Sequence, residues 1–160
     1  MGSIVVLGLG SNRGDSKAII MGAAEALKDD LMDLSFSSLY DTAPLHVTEQ
    51  RRFINAAVLG YYGLSPLELL TRIHCIEMCF GRDRIHEQRW GERYLDIDIL
   101  LFGDLCVNEP ELTIPHPLLK ERRFALEPLI ELLPNAVEPV TGLLYAKICA
   151  GLPDQGVQRC

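Results

Sequence analysis

The chain has 160 residues, a formal net charge of −7, 48% hydrophobic residues and 23% charged residues. This length suits a single domain over residues 1–160, and the acidic balance leaves no basic footprint for a nucleic-acid backbone. No apolar stretch approaches the ~20 residues that span a bilayer, and the five cysteines match no disulfide scaffold, so we expect a cytoplasmic protein in a reducing compartment.

Hydrophobic periodicity predicts most of the secondary structure. In chain order the predicted elements are a strand over 4–9, a helix capped by Asp15 or Ser16, strands over 34–40 and 53–62, a helix from Ser65 to Gly81, a strand over 94–102 and a hairpin near Gly103. The later chain is predicted to hold a helical turn after 115–117, a short helix over 127–133 and a loose tail from Asp154. The order β-α-β-β-α-β is the split βαβ arrangement of a ferredoxin-like sheet, so we predict an α+β fold.

Asp96 and Asp98 lie at alternate positions of the predicted strand 94–102. Residues i and i+2 of a strand point to the same face, ~6.6 Å apart, so these two carboxylates share one face. The apolar residues predicted on the other face are Leu95, Ile97, Ile99 and Leu101. Carboxylates at this spacing suit Mg²⁺, which completes its shell with water and phosphate. The alternative is an exposed strand face that pairs with lysine or arginine.

Arginines are concentrated just before this carboxylate pair. The loop over residues 82–93 contains Arg82, Arg84, Arg89 and Arg93. Guanidinium groups bind phosphate oxygens in pairs and keep their charge. In phosphoryl transfer a metal neutralises one side of a polyphosphate and arginines neutralise the other. The alternative is a solvated charged loop.

Several residues suit a flat heterocyclic ligand. Trp90 lies within the arginine-rich loop, where a tryptophan either closes over a flat ligand or anchors the loop. Phe53 and Asn55 share one face of a predicted strand, and an amide can donate to and accept from a heterocycle edge such as that of a pterin. Phe124 is added to this set as a second aromatic side chain.

Two further residues are candidates for binding an anion. His116 lies between two prolines and Arg122 follows one or two helical turns later, although a Pro-His-Pro sequence is more often structural. The dinucleotide fingerprint fails, because Gly8 and Gly10 are followed by Arg13 where the third glycine should stand. The P-loop pattern is absent too, so ATP binding would need another architecture.

These motifs together resemble the 6-hydroxymethyl-7,8-dihydropterin pyrophosphokinase family over nearly the whole chain. The segments that carry the resemblance are residues 9–12, 37–45, 53–58, 81–84, 89–101, 115–117, 122–124 and 128–129. The most specific is the run Arg-Trp-Gly-x-Arg-x-x-Asp-x-Asp at residues 89–98.

The resemblance implies that pyrophosphate moves from ATP to the hydroxymethyl group of a reduced pterin in folate biosynthesis, as the hydroxyl attacks the β-phosphorus and AMP leaves. It also implies a ferredoxin-like core in a three-layer α/β/α arrangement, with two Mg²⁺ ions between Asp96, Asp98 and the ATP phosphates. The implied site residues are Arg82 and Arg93 on the phosphates; Arg84, His116, Arg122, Leu70, Ile99 and Thr113 around ATP; and Phe53, Phe124, Asn55, Thr42, Leu45 and Trp90 around the pterin.

Three positions depart from the usual pattern of that family. Glu92 stands where the family usually has Pro, His46 where it usually has Gly, and His74 where a Gln is frequent. Two polar loops, residues 43–52 and 82–93, are expected to order when the substrates bind, and their motion is expected to limit turnover.

Two other functions remain open from the residues themselves. A two-metal nuclease could use Asp96 and Asp98, but the net charge of −7 argues against it. A non-catalytic nucleotide-binding module would keep the arginines without needing Phe53, Asn55 and Phe124 together. For the leading function we expect ATP and a reduced pterin as partners and a monomeric protein. The acceptor of the hydroxyl proton stays open between Asp98 and a metal-bound water.

Overall fold

The computed structural model describes residues 2–160 as an antiparallel sheet flanked by four α-helices. The strands are β1 (Ser3–Ser11), β2 (Met32–Phe36), β3 (Tyr40–Thr42), β4 (Phe53–Tyr62), β5 (Asp96–Phe102), β6 (Val107–Glu109), β7 (Leu112–Ile114) and β8 (Val157–Arg159). The helices are α1 (Ser16–Leu27), α2 (Pro66–Cys79), α3 (Arg123–Leu132) and α4 (Tyr145–Ala150), with a short 3₁₀ helix at Leu119–Glu121.

Strand β1 is an inner strand of the main sheet. It pairs antiparallel with β4 on one side and with β5 on the other. The sheet order is β5-β1-β4-β3-β8, and β2 pairs with β4 beside β3, while β6 and β7 form a separate hairpin. Because β5 is at the edge of this sheet, the two carboxylates predicted on it are positioned by pairing with β1 alone.

Two hydrophobic clusters fill the two sides of this sheet. One cluster joins Val5, Leu7 and Leu9 of β1 to the buried faces of α1 and α2. The other joins Val6 of β1 and Ala57 of β4 to the buried residues of α3 and α4. Alternate residues of β1 therefore enter different clusters, as the two-residue repeat of a strand requires.

The helix starts follow from their capping residues. Asp15 caps α1 by accepting a hydrogen bond from the Ala18 N–H. Ser65 and Glu68 form a capping box at the start of α2, with Pro66 as its first residue, as the sequence predicts. The side-chain oxygens thereby satisfy N–H groups that the first helical turn cannot pair internally.

A β-bulge corrects the predicted pattern of β5. The register of β1 with β5 shifts between Val6 and Leu7, so that Leu100 is the extra residue. The predicted grouping of Leu95, Ile97 and Ile99 is confirmed, because all three pack with α1 and α2. Leu101 was wrongly placed with them. After the extra residue it packs in the opposite cluster.

Other element boundaries also differ from the prediction. The strand predicted over 34–40 is divided into β2 and β3, and β3 continues into the predicted loop as far as Thr42. The short helix predicted over 127–133 begins four residues earlier and contains Pro128. The tail predicted as loose forms β8 through pairing with β3, and α4 was not predicted.

Within residues 2–160, no helix is both long enough and apolar enough to span a membrane. All five cysteines are free thiols, and Cys149 alone among them is buried. The cysteine count is thus not explained by disulfide bonds in this fold.

Candidate active site

Asp96 and Asp98 lie where two cavities meet. The narrow cavity, of about 100 Å³, extends past Phe53 and Asn55. The wide cavity, of about 440 Å³, extends past Leu70. Both carboxylates line both cavities. Groups bound in the two cavities would therefore meet beside the carboxylate pair.

The structure brings together every site residue that the sequence predicts. Thr42, Leu45, Phe53, Asn55 and Phe124 line the narrow cavity; Leu70, Arg82, Arg84, Ile99 and Thr113 line the wide cavity; Trp90, Arg93, Asp96, Asp98, His116 and Arg122 line both. Of the three positions that depart from the family pattern, His46 lines the narrow cavity and His74 the wide one. Glu92 is exposed and lines neither, so its charge faces solvent.

Glycines of β1 stand opposite the two carboxylates. Gly10 pairs with Asp96 and Gly8 pairs with Asp98 across the antiparallel strands. A β-carbon at Gly10 would lie 2.7 Å from Asn55 Oδ1, which is closer than such contacts occur. The glycine therefore leaves room for the Asn55 amide beside the carboxylates.

Two arginines neutralise Asp96. Arg82 Nη1 donates a hydrogen bond to Asp96 Oδ1, and Arg93 Nη1 lies 3.3 Å from Asp96 Oδ2. Burial alone would raise the pKa of Asp96, but the positive charges of Arg82 and Arg93 outweigh it and hold the pKa below its usual value. Asp96 is therefore charged at neutral pH.

Asp98 has no such partners. No side chain or backbone N–H among the described residues donates a hydrogen bond to it, and His116 Nε2 lies 3.8 Å from Oδ1. Burial and the negative charge of Asp96 raise the pKa of Asp98 above its usual value. Its side chain is still 36% exposed, so a cation can reach it from the cavities. Such a cation would stabilise the charged form of the pair.

His116 is an N–H donor at this junction. Burial, together with the positive charge of Arg122, lowers the pKa of His116 to about 4, so the imidazole is neutral at pH 7. The Leu118 N–H donates to His116 Nδ1 over 3.2 Å, which assigns the ring proton to Nε2. His116 is thereby suited to donate to a phosphate oxygen and unsuited to act as a general base.

Glu77, which sequence reasoning missed, connects the arginines to β5. Its side chain is fully buried and accepts hydrogen bonds from the Ile97 N–H (2.9 Å) and from Arg84 Nη2 (2.5 Å). Arg82 Nη1 lies 3.5 Å from the same carboxylate. Burial, followed by the charge of Asp96, raises the pKa of Glu77 against the opposing effect of these partners. Glu77 thus fixes two arginines relative to the carboxylate-bearing strand.

Asn12, also missed, joins the bases of the two polar loops. Its Nδ2 donates to Gln50 Oε1 (3.1 Å) and to the Arg51 carbonyl (3.0 Å). Its Oδ1 accepts from the Arg93 N–H over 2.8 Å. The sequence held a signal for each missed residue, because Asn12 belongs to a segment of the family resemblance and Glu77 falls on the apolar side of the predicted helix.

Arg93 and Arg122 keep unpaired donors at the cavities. Arg93 Nε is buried without a hydrogen-bond partner among residues 2–160. Over the same residues, no carboxylate lies within 4.0 Å of the Arg122 guanidinium. Burial lowers the pKa of Arg122, yet a guanidinium in a protein remains charged. Unpaired guanidinium donors of this kind bind phosphate oxygens.

The narrow cavity contains a buried amide in a fixed orientation. Asn55 Nδ2 donates to Thr42 Oγ1 over 2.7 Å, and both side chains are buried. The register of β3 with β4 places Thr42 opposite Phe53. Asn55 keeps its Oδ1 and one N–H for a ligand, which allows it to bind a ring edge that both donates and accepts.

The carboxylate pair has the composition of a magnesium site that is completed by its ligand. Within residues 2–160, no group of three or more His, Cys, Asp or Glu side chains can hold a metal ion alone. Magnesium is commonly bound by one or two carboxylates together with water and substrate phosphates. Asp96 and Asp98, which face a wide cavity lined by arginines, fit this pattern.

The sequence matches known proteins over most of its length. The sequence model of the family described as 7,8-dihydro-6-hydroxymethylpterin-pyrophosphokinase (HPPK) matches residues 6–134. A 2-amino-4-hydroxy-6-hydroxymethyldihydropteridine pyrophosphokinase from Methylorubrum extorquens is 38% identical over 155 residues, covering 96% of this chain and 96% of that protein. A mitochondrial folate synthesis bifunctional protein from Arabidopsis thaliana is 45% identical over 136 residues, which cover 84% of this chain.

Some of these relatives are much longer than this chain, which spans 24% of the Arabidopsis protein. Among solved structures, Plasmodium falciparum HPPK-DHPS with pterin and p-hydroxybenzoate has a TM-score of 0.77, covering 99% of this chain and 46% of that chain. Its sequence identity is 17%, so this likeness concerns the fold alone. It supports the mixed α and β architecture described above.

Proposed function

The chain belongs to the 7,8-dihydro-6-hydroxymethylpterin-pyrophosphokinase family, and we propose that it transfers pyrophosphate from ATP to the hydroxymethyl group of 6-hydroxymethyl-7,8-dihydropterin. The family match and the pyrophosphokinase relatives indicate this transfer in folate synthesis. The observation that carries the proposal for this chain is the position of Asp96 and Asp98 at the junction of two cavities.

In this proposal ATP occupies the wide cavity. Leu70, Ile99 and Thr113 surround the nucleoside, and Arg84 and Arg122 hold the phosphates. Two arguments support this assignment. Arg82 and Arg84 line the wide cavity alone, and neutral His116 adds an N–H donor where the two cavities meet.

The pterin occupies the narrow cavity. Phe53 and Phe124 offer aromatic faces, while Asn55, Thr42 and Leu45 meet the edge of the ring and Trp90 covers it. The buried hydrogen bond between Asn55 and Thr42 supports this assignment, because it orients an amide toward the cavity before any ligand binds.

Asp96 and Asp98 would hold two Mg²⁺ ions, which would neutralise phosphate charge during the transfer. The raised pKa of Asp98 supports this, because a carboxylate without donors beside a charged neighbour is stabilised by a cation. Arg82 and Arg93, which pair with Asp96, would add positive charge beside the phosphates.

The reaction exchanges one bond to phosphorus for another. The hydroxymethyl oxygen of the pterin forms a bond to the β-phosphorus, and the bond from that phosphorus to the oxygen bridging to the α-phosphate breaks, so that AMP leaves. The hydroxyl proton is released as the new bond forms. The protein contributes mainly by holding the two substrates in line and by stabilising phosphate charge.

We propose further that the fold is a ferredoxin-like core in three α/β/α layers, working as a cytoplasmic monomer over residues 1–160 without a nucleic-acid or membrane partner. The sheet order β5-β1-β4, with α1 and α2 in one cluster and α3 and α4 in the other, supports the layers. The free cysteines support a reducing compartment, and the net charge of −7 argues against a nucleic-acid partner.

The test is a product assay with ATP, 6-hydroxymethyl-7,8-dihydropterin and Mg²⁺. We expect AMP to form only when the pterin is present and to disappear when EDTA removes the metal. Asp98→Asn should lower the rate by about 100-fold or more, because it removes a charge that acts on the transferred group. Asp104→Asn, an exposed carboxylate just after the same strand, is the matched control and should react like the wild type.

The same assay separates the other candidate functions. Formation of ADP, or full activity of Asp98→Asn, would contradict the proposed transfer. ATP binding without any turnover would favour a nucleotide-binding module. Metal-dependent cleavage of DNA would favour a nuclease, which the acidic charge of the chain does not support.

A further inference from the structure

Four planar side chains form a row along the narrow cavity: His46, Trp90, Arg122 and Phe124. The ring centroids of His46 and Trp90 are 4.4 Å apart, with a tilt of 38°. The Arg122 guanidinium carbon lies 5.4 Å from the Trp90 ring centroid and 5.4 Å from the Phe124 ring centroid. We call these four residues the planar row, and it connects both polar loops to helix α3.

Trp90 needs outside support in this arrangement. Its φ angle is +65°, in the left-handed region that residues other than glycine rarely adopt. Gln50, on the opposite loop, donates a hydrogen bond to the Trp90 carbonyl over 2.9 Å. That bond orients the backbone of Trp90, whereas its indole ring is held by other side chains.

His46 provides the contact between the two loops that acts on the indole. Within residues 2–160, the only other paired aromatic rings are Tyr62 and Phe102, far along the sheet from the loops. Arg89 also lies near the Trp90 ring, at 5.1 Å, but it belongs to the same loop and cannot join one loop to the other. The aromatic contact that joins the two loops over the narrow cavity therefore depends on the His46 ring.

We propose that His46 is a positioning residue for the pterin: its ring holds Trp90 over the narrow cavity before the substrate arrives. This inference rests on the proposed function, and it adds His46 to the residues that shape the pterin site. Arg122 lies against Phe124 as well as against Trp90, so its guanidinium keeps an aromatic partner when the His46 ring is removed. His46 acts through Trp90 and takes no part in bond making.

The expected effect falls on pterin binding. If the His46 ring favours the closed arrangement by about 3- to 10-fold, its removal raises the KM for the pterin by a similar factor. The KM for ATP and kcat should stay within about twofold, because the carboxylates and the phosphate-binding arginines are unchanged. A residue with only a structural role would not produce this split.

The experiment compares His46→Ala, His46→Phe and His86→Ala with the wild type. Trp90 is the only tryptophan of the chain, so quenching of its fluorescence by acrylamide reports the cover on its ring in the free protein. We expect His46→Ala to increase quenching and pterin KM, and His46→Phe to restore both to within about twofold of the wild type, since a phenyl ring can replace the stack. His86, an exposed histidine on the arginine-rich loop that contacts Asp83, is the matched control and should change neither.

Two results would overturn the inference. One is unchanged quenching and unchanged pterin KM in His46→Ala, and the other is a His46→Phe variant that behaves like His46→Ala. Either of these results can be told apart from a failure of the proposed function. If the wild type made no AMP from ATP and the pterin, the quenching comparison would still decide whether His46 holds Trp90.

Discussion

Glu77 accepts a hydrogen bond from the backbone N–H of Ile97, the residue that separates Asp96 from Asp98. The same buried carboxylate accepts a hydrogen bond from Arg84. One side chain of α2 therefore positions both the strand that carries Asp96 and Asp98 and an arginine that lines the wide cavity. Such a group is sensitive to substitution, because its partners are left unpaired in the interior.

Replacement of Glu77 by Ala should lower the free energy of unfolding by about 3 kcal/mol, since it removes one member of a buried charge network. Glu77→Gln keeps an acceptor for the Ile97 N–H, so we expect a smaller loss, about 1–2 kcal/mol. Urea unfolding measures both values. Glu25→Gln is the control, because its ion pair with Lys28 is exposed and should contribute less than about 0.5 kcal/mol. Equal losses for the two Glu77 variants would contradict this view.

Gly10→Ala should impair pterin binding selectively. The added β-carbon would collide with Asn55 Oδ1, and the hydrogen bond to Thr42 prevents the amide from moving away freely. We expect the pterin KM to rise by about 10-fold, equivalent to 1.4 kcal/mol, with little change in the KM for ATP. Gly63→Ala is the control, because nothing lies within 4 Å of its new β-carbon. Equal effects on both KM values would show that the collision disturbs the whole site.

Arg122→Lys tests whether the planar shape of this cation matters. The substitution keeps the positive charge but removes the flat group that lies against Trp90 and Phe124. We expect KM to rise for both substrates by roughly 10-fold, because Arg122 lines both cavities. Steady-state kinetics measure this, with the exposed Lys120→Arg as control. Wild-type kinetics in Arg122→Lys would show that charge alone is sufficient.

Glu131 should make the free energy of unfolding depend on pH in the acidic range. Tyr40 OH donates to it over 2.6 Å, and Ser38 donates from both its N–H and its Oγ. Burial would raise the pKa of Glu131, but these hydrogen bonds outweigh it and hold the pKa below its usual 4.5. A carboxyl whose folded-state pKa is depressed stabilises the fold fully above its unfolded-state pKa. This stabilisation is lost as pH falls through the folded-state pKa.

We therefore expect Glu131→Gln to lower the free energy of unfolding by about 1 kcal/mol near pH 7. The difference from the wild type should shrink as pH falls below about 4 and vanish once Glu131 is protonated in the folded protein. Urea unfolding at a series of pH values measures this. A difference that stays constant with pH would contradict the assignment.

Local sequence patterns predicted the parts of this site that depend on one element. The alternation of apolar and acidic residues predicted that Asp96 and Asp98 share one face of a strand. The helix-capping residue Ser65 predicted where α2 begins. Both signals are short-range, so they do not depend on how the chain folds back. The roles assigned to individual site residues came from the family resemblance, and they stay predictions until the assays above are made.

What sequence reasoning missed depends on partners distant along the chain. Leu101 changed sides because a bulge forms only where β5 meets β1, and no local pattern reveals it. Glu77 was overlooked because a charged residue on a helix is usually solvated, and its two hydrogen-bond partners lie seven and twenty positions away. Strand β8 has only three residues and exists through its pairing with β3.

The pairing of β8 with β3 has a consequence for the tendency of the protein to aggregate. β3 would otherwise present unpaired backbone groups at a free border of the sheet, and such borders recruit strands from other molecules. Val157–Arg159 provide this cover, and the Arg159 guanidinium holds it in place by donating hydrogen bonds to Tyr40 OH and to Glu131. Proteolytic removal of residues 157–160 would therefore expose β3 as a template for self-association beside the loop of residues 43–52, and concentrated samples cleaved there should aggregate first.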